Sequence, residues 1–272
     1  MDVISNSAAR YVRLREEEMS LDEFLVLCQR DPMVYEGAAH RMLAAIGEPE
    51  MTDTRNDPHL SRLFANKVIR RYPAFAEFYG MEDAIEQVVS FFRHAAQGLE
   101  ERKQILYLLG PVGGGKSSIT ERLKYLMQKV PFYALKGSPV NESPLGLFDA
   151  AEDGPVLEEQ FGIPRRYLQR VLSPWAVKRL EGYGGDIRQF RVVKRYPSVL
   201  KQVGIAKTEP GDENNQDISS LVGKVDIRKL ETFAQDDTDA YSSSAGGCLA
   251  NQRLRELVEL GRSSRKGLHP QP

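Results

Sequence analysis

The sequence predicts an α/β fold, a parallel sheet flanked by helices with a helical segment ahead of it, and three observations carry that prediction. A short apolar run, Gln104-Ile-Leu-Tyr-Leu-Leu109, reads as a strand buried on both faces and leads straight into the glycine-rich stretch Gly110-Pro-Val-Gly-Gly-Gly-Lys-Ser117. A helical stripe follows, with Ile119, Leu123, Leu126, Met127 and Val130 on one face and Pro131 to stop it. Pro131-Phe-Tyr-Ala-Leu135 then reads as the next short strand.

The glycine-rich stretch fits G-x-x-x-x-G-K-[ST] at every required position. A chain of this length would match that pattern by chance on the order of once in a hundred. Strand, glycine loop and helix together form the context in which the motif is a P-loop. The chemistry follows from the residue types. Gly113, Gly114 and Gly115 lack a Cβ, so the backbone can turn left-handed and bring N–H groups around one anion. The helix start adds unsatisfied N–H groups and the positive end of a dipole. Lys116 is expected to reach the β and γ phosphates, and the Ser117 hydroxyl to hold Mg²⁺. Gly110, Pro111, Val112 and Ser118 complete the expected phosphate contacts. The alternative is a glycine turn that merely links strand to helix, which three consecutive glycines disfavour by their entropy cost. ATP and Mg²⁺ are the cofactors this predicts.

Composition sets the frame. Hydrophobic residues make up 41% and charged residues 28%, which is ordinary for a globular chain and enough for a real core in 272 residues. A net charge of −1 gives no basic field to argue for nucleic acid. Cys28 and Cys248 are far apart and belong to no Cys/His cluster, which argues against a disulfide or a zinc site. The start, Met-Asp-Val-Ile-Ser-Asn, lacks a secretory signal, and no apolar run approaches the roughly 20 residues of a membrane span. A cytoplasmic chain is the expectation.

From the start, residues 1–70 read as a helical accessory region and 71–272 as the ATP-binding domain. Ser20-Leu-Asp-Glu23 is a capping box, followed by Leu21, Phe24, Leu25 and Cys28 on one face. Asp31-Pro32 supplies a second N-cap, and Ala38, Met42, Leu43 and Ile46 continue that helix to Gly47. Glu48 to Asp57 reads as a polar linker. His40 and His59 have no partner spacing and are read as surface or packing residues. A further helix carries Ala84, Val88, Phe91, Phe92 and Ala95 and closes at Gly98. Just before it stand Phe78, Tyr79 and Gly80, where ring-forming ATPases often set an aromatic-glycine turn against adenine. Tyr79 and Gly80 are therefore candidates for the base pocket, beside the plainer reading that these aromatics pack the helix onto the sheet.

Many blocks of the chain resemble one family, the bacterial PrkA-type serine protein kinases, whose N-terminal half is an AAA+ type module. They are Ser61-Arg-Leu-Phe64, Arg71-Tyr-Pro-Ala-Phe75, Phe78-Tyr-Gly-Met-Glu82, Gly110 to Ser118, Ser138-Pro-Val-Asn141, Gly162-Ile-Pro-Arg-Arg-Tyr167, Ser173-Pro-Trp175 and Phe190-Arg-Val-Val193. Thr208-Glu-Pro-Gly-Asp-Glu-Asn-Asn-Gln-Asp217 and Val222 to Leu230 complete the set. The resemblance implies a P-loop NTPase fold of AAA+ type and ATP-dependent phosphoryl transfer to protein serine. It also implies a strand near 251–259, with Glu259 in the place of the catalytic glutamate and Val258 where many members carry a magnesium aspartate. Glu256 lies nearby as a substitute. Read alone, Leu254-Arg-Glu-Leu-Val-Glu-Leu260 fits a helix as well as a strand. The chain ends before the remaining strands, the lid and the C-terminal region of the family, so the resemblance is to an incomplete member.

Other stretches keep a local reading. Arg165, Arg166, Lys178, Arg179, Arg188, Arg191, Lys194 and Arg195 make residues 164–195 the most basic part, either a solvated face or a polypeptide- or phosphate-contacting surface. Trp175 reads as a core anchor and residues 209–217 as an acidic loop exposed for partner contact. Three functions remain open: a PrkA-like ATP-dependent serine protein kinase, an ATPase that remodels a protein substrate, and an ATP-binding switch without turnover. None of the G-x-G-x-x-G-x-V, V-A-I-K, H-R-D or D-F-G signatures of protein kinases occurs, so the kinase activity is what the resemblance implies. The expected partners are a protein substrate and, as an open option, a second copy of the chain, with neither nucleic acid nor membrane.

Overall fold

The computed structural model describes residues 17–99, 101, 104–111, 113–168, 172–201, 203–208, 224–225, 239, 241–242 and 254–257. Ser20 sets the first helix. Its hydroxyl accepts from the Glu23 amide at 3.2 Å, while the Glu23 carboxylate accepts from the Ser20 amide at 2.7 Å, the reciprocal capping box legible in the sequence. Helix α1 (Leu21–Arg30) buries Leu21, Phe24, Leu25 and Cys28. Burial pushes the Cys28 thiol up to about 12, which makes it an unreactive packing residue at neutral pH.

The first seventy residues are not all helical. Glu17–Ser20 form strand β1 ahead of α1. Asp31 caps Pro32–Val34 as a single 3-10 turn, its carboxylate accepting from the Met33 amide at 2.9 Å, and helix α2 (Ala38–Ile46) starts afresh after Gly37. The continuous helix expected from Pro32 fails because Val34 and Tyr35 are drawn into the core and Gly37 breaks the run. The polar stretch after Gly47 holds strand β2 (Glu50–Asp53), which pairs antiparallel with β3 (Val68–Arg71) across helix α3 (Pro58–Phe64). Neither strand shows an apolar alternation, since of the two only Ile69 is buried, so pairing rather than burial defines them.

Helix α4 (Glu82–Ala96) buries Ile85, Val88, Val89 and Phe92, and helix α5 (Lys116–Met127) buries Ile119, Leu123, Leu126 and Met127. Strand β4 (Phe132–Leu135) is buried at all four positions. Helices α6 (Gly154–Phe161) and α7 (Pro174–Gly182) follow, and then strand β5 (Arg191–Arg195). Strands β1, β5 and β4 form an antiparallel sheet in that order, with Ala134 opposite Val193 and Glu18 opposite Val193 on its other side. The remaining strands are β6 (Ile205–Thr208), β7 (Lys224–Val225), β8 (Tyr241–Ser242) and β9 (Leu254–Leu257). β7 pairs antiparallel with β8, and β6 runs parallel to β9 with Ile205 opposite Leu254.

Two expectations change here. Among the described residues the sheets are small and mostly antiparallel, with β6–β9 the parallel pair, so the predicted parallel sheet is not seen among them. The Leu254 segment, ambiguous in the sequence, is a strand. Residues 105–109 do not join a sheet: Ile105, Tyr107 and Leu109 are 79%, 68% and 84% exposed, while Leu106 and Leu108 pack against the helices. One face of the run packs on the core, and among the described residues no strand covers the other.

Two apolar clusters hold these elements. One joins α1, α6 and α7 to β4 and β5 through Phe24, Leu135, Leu157, Ile163, Phe190 and Val192. Trp175 packs beside it, edge-on to Phe190 at 6.5 Å, the anchoring role its sequence context predicts. The other joins α2, α4 and α5 through Met42, Ile85, Val89, Leu123 and Met127. That second cluster fixes the direction of α5 and so aims the loop at its start.

Candidate functional site

Gly113 and Gly115 take left-handed backbone conformations, at φ 80° and 75°, and Gly115 is the residue from which α5 springs. At Gly115 space is occupied as well, because a Cβ there would lie 2.9 Å from both Cε and Sδ at the flexible end of Met81. The loop between them folds on itself, the Gly114 amide donating to the Pro111 carbonyl at 3.1 Å. That amide is turned inward and is not offered to an anion, which leaves the neighbouring loop amides and the first turn of α5 as the candidate donors.

Lys116 lies across the same loop. Its ammonium donates to the carbonyls of Gly110 at 2.7 Å and Pro111 at 2.6 Å. Two of its three donors are thus held by the loop itself, which fixes the ammonium beside the helix start. Gly110, Pro111, Gly113, Gly114, Ser117 and Ser118 are all exposed, so an anion can reach them. Val112 lies outside the described residues.

Magnesium fits this site through the nucleotide rather than through a dedicated cage. Mg²⁺ keeps several waters and binds through substrate phosphates with one or two protein groups. Among the described residues no group of three His, Cys, Asp or Glu side chains is placed to hold a metal, whereas the exposed Ser117 hydroxyl stands one residue inside α5, next to Lys116. Glu259 and Val258 lie outside the described residues. Glu256 lies on β9, opposite Lys207 of β6 in the backbone register.

The nucleoside-side candidates come to the same place. Tyr79 is 80% exposed, and Gly80 turns the chain at φ 75° into α4. Phe78 stacks edge-on against buried Phe75 at 5.9 Å, so its role is packing. The next residue, Met81, touches Gly115. The turn and the phosphate loop are therefore in contact, a link the sequence did not disclose because Met81 looks like any apolar residue before a helix. Arg122 was missed for a similar reason. Its Nε donates to the Ala74 carbonyl at 2.6 Å and faces Glu77 at 3.2 Å, tying α5 to the segment ahead of Tyr79.

The basic stretch at 164–195 is not brought to this site as a block. Arg165 pairs with Glu158, Arg188 with Asp186, Lys194 with Glu17, and Lys178 and Arg179 with Asp239. His40 pairs with Glu36 one helical turn away at 2.7 Å, and His59 is exposed at the start of α3. Among the described residues no helix is long and apolar enough to cross a membrane.

A family model described as the PrkA AAA domain matches residues 19–271. The chain belongs to the PrkA AAA domain family. AAA domains are P-loop NTPases, so family membership carries the fold class and nucleotide binding. Similar curated relatives include "Serine/threonine kinase YeaG" of Escherichia coli strain K12, 61% identical over 99% of this chain. "ATP-dependent protease PrkA" of Bacillus subtilis strain 168 is 31% identical over 94% of it. The chain spans 42% and 41% of the lengths of these two relatives. No solved structure matches the chain.

Proposed function

We propose that this PrkA AAA domain is the ATP-binding module of a serine protein kinase of the PrkA type. The observation that carries this reading is the left-handed glycine loop at the start of α5, with the Lys116 ammonium fixed beside it. Bound Mg²⁺–ATP supplies the transferable phosphoryl group and neutralises the phosphate charge. The protein's part is positional. Helix α5 presents N–H groups to the phosphates, Lys116 adds a point charge, and the Ser117 hydroxyl orients the metal. Tyr79 and Gly80 wall the nucleoside, and Glu259 is the proposed acid/base partner on the chain that leads out of β9. The partner is a protein carrying the acceptor serine, and a second copy of the chain is a further candidate.

The relative from Bacillus subtilis is named an ATP-dependent protease, and the chain carries none of the protein-kinase signatures. Those two facts favour, as a second reading, an ATPase that spends hydrolysis on remodelling a protein. One pair of assays separates the two. The kinase reading predicts transfer of labelled γ-phosphate to protein serine, lost in Lys116→Ala. Phosphate release without any transfer to protein, also lost in Lys116→Ala, contradicts it and supports the remodelling ATPase.

A further inference from the structure

The segment from Ala74 to Met81 is fastened to α5 at both ends. At one end the Arg122 guanidinium donates to the Ala74 carbonyl at 2.6 Å, with Glu77 at 3.2 Å to hold the guanidinium in place. At the other, the Met81 thioether fills the space a side chain would occupy on Gly115. Positions 115 and 122 are seven residues apart, so they lie on one face of the helix, about 10 Å apart along its axis. The segment spans that distance in a folded form, since Pro73–Phe75 make a 3-10 turn and the Phe78 amide donates to the Phe75 carbonyl at 3.0 Å. Phe75 and Phe78 pack its inner side, and the exposed Tyr79 and the left-handed Gly80 stand just before the Met81 fastening, beside the phosphate loop.

We infer that Met81 and Arg122 are positioning residues that hold the Tyr79–Gly80 turn against the P-loop helix, so that nucleoside and phosphates are gripped as one unit. Neither side chain needs to touch ATP. Met81 sets the height of the turn over Gly115 through an unbranched, adaptable thioether. Arg122 fixes the far end through a charge-assisted bond to a backbone carbonyl. The inference rests on the proposed ATP site and specifies how its two halves are coupled.

The test compares ATP with inorganic tripolyphosphate, which presents the same phosphates without a nucleoside, by titration calorimetry on wild type, Met81→Ala, Met81→Leu, Arg122→Ala and Arg122→Lys. Wild type is expected to bind ATP more tightly than tripolyphosphate. Met81→Ala and Arg122→Ala should each weaken ATP about tenfold, the loss expected when one contact that holds a wall in place is removed. Tripolyphosphate affinity should change less than twofold. Met81→Leu, which fills nearly the same volume, should restore most of the ATP affinity. Parallel loss of both ligands would show that the two residues merely support the loop, and would overturn the inference. So would unchanged ATP affinity in both alanine variants, or wild type binding the two ligands equally. Wild type binding neither ligand would instead remove the ATP site itself, and this inference with it. Trp175 fluorescence, the single tryptophan signal of the chain, reports whether each variant is folded. Should Met81→Ala fail to fold, the Arg122 pair decides the matter by the same ratio.

Discussion

Replacing Gly115 with alanine probes the loop at its tightest point. The backbone there sits at φ 75°, a conformation that costs about 1–2 kcal/mol for a residue with a Cβ. The new methyl would also stand 2.9 Å from the flexible end of the Met81 side chain, which must shift to admit it, at up to about 1 kcal/mol. The combined strain is about 1–3 kcal/mol, and it can surface in two ways. If the loop keeps its shape, the strain appears as lost stability, a fall in Tm of about 5–10 °C for a chain of this size. If the loop relaxes toward ordinary dihedrals, its amides leave the anion and ATP affinity falls about tenfold for each 1.4 kcal/mol released. Gly113→Ala is the matched control. Its φ is 80°, but nothing lies within 4 Å of the added Cβ, so only the dihedral strain applies. Calorimetry with ATP and thermal melts of both variants should show Gly115→Ala as the more damaging. Equal affinity and Tm for Gly115→Ala and wild type, or a larger effect at Gly113, would refute the reasoning.

Other consequences are independent of the loop. Glu142→Ala should cost about 3 kcal/mol, because the buried carboxylate accepts from Ser138 Oγ at 3.0 Å, Ser173 Oγ at 2.7 Å and the Ser173 amide at 2.9 Å. Chemical denaturation checks this, and a midpoint equal to wild type contradicts it. Phe24→Ala, which empties a fully buried site in the cluster around β4 and β5, should lose about 3–5 kcal/mol by the same measurement. Ser20→Ala removes one half of the capping box and should cost about 1 kcal/mol. Alkaline pH should destabilise the fold, since burial pushes both the Cys28 thiol and the Tyr133 hydroxyl up to about 12. Their unfolded values are lower, so stability is complete below about pH 8 and falls between about pH 8 and 12 as the unfolded chain releases protons first. A Tm that stays flat from pH 8 to 11 would show that these groups are not buried as described.

The parts of the fold that local chemistry dictates were legible in the sequence. The capping box at Ser20, the stripes of α4 and α5, the buried run of β4 and the glycine loop each depend on residues within a few positions of one another. Elements that need a partner were not. The run at 105–109 has the composition of a buried strand, yet burial comes from neighbours, and only Leu106 and Leu108 find a packing surface. Strands β2 and β3 carry charged side chains at half of their positions and exist because their backbones pair, which no pattern within either one announces. At the site the same division holds. Gly113, Gly115, Lys116 and Ser117 follow from the motif, whereas the Met81–Gly115 contact and the Arg122–Ala74 bond join segments that sequence separates by 34 and 48 positions, and neither belongs to a motif. The basic stretch stayed open between a solvated face and a contact surface, because a sequence does not reveal that acidic residues such as Glu158 and Asp239 lie against it.

The amides before α5 and the Lys116 ammonium are proposed to grip a triphosphate. Calorimetric titration of wild type and Lys116→Ala with Mg²⁺–ATP tests it most directly. The prediction is saturable one-to-one binding by wild type and a loss of at least a hundredfold in the variant, about 2.7 kcal/mol. Equal affinity in the two proteins would contradict the claim.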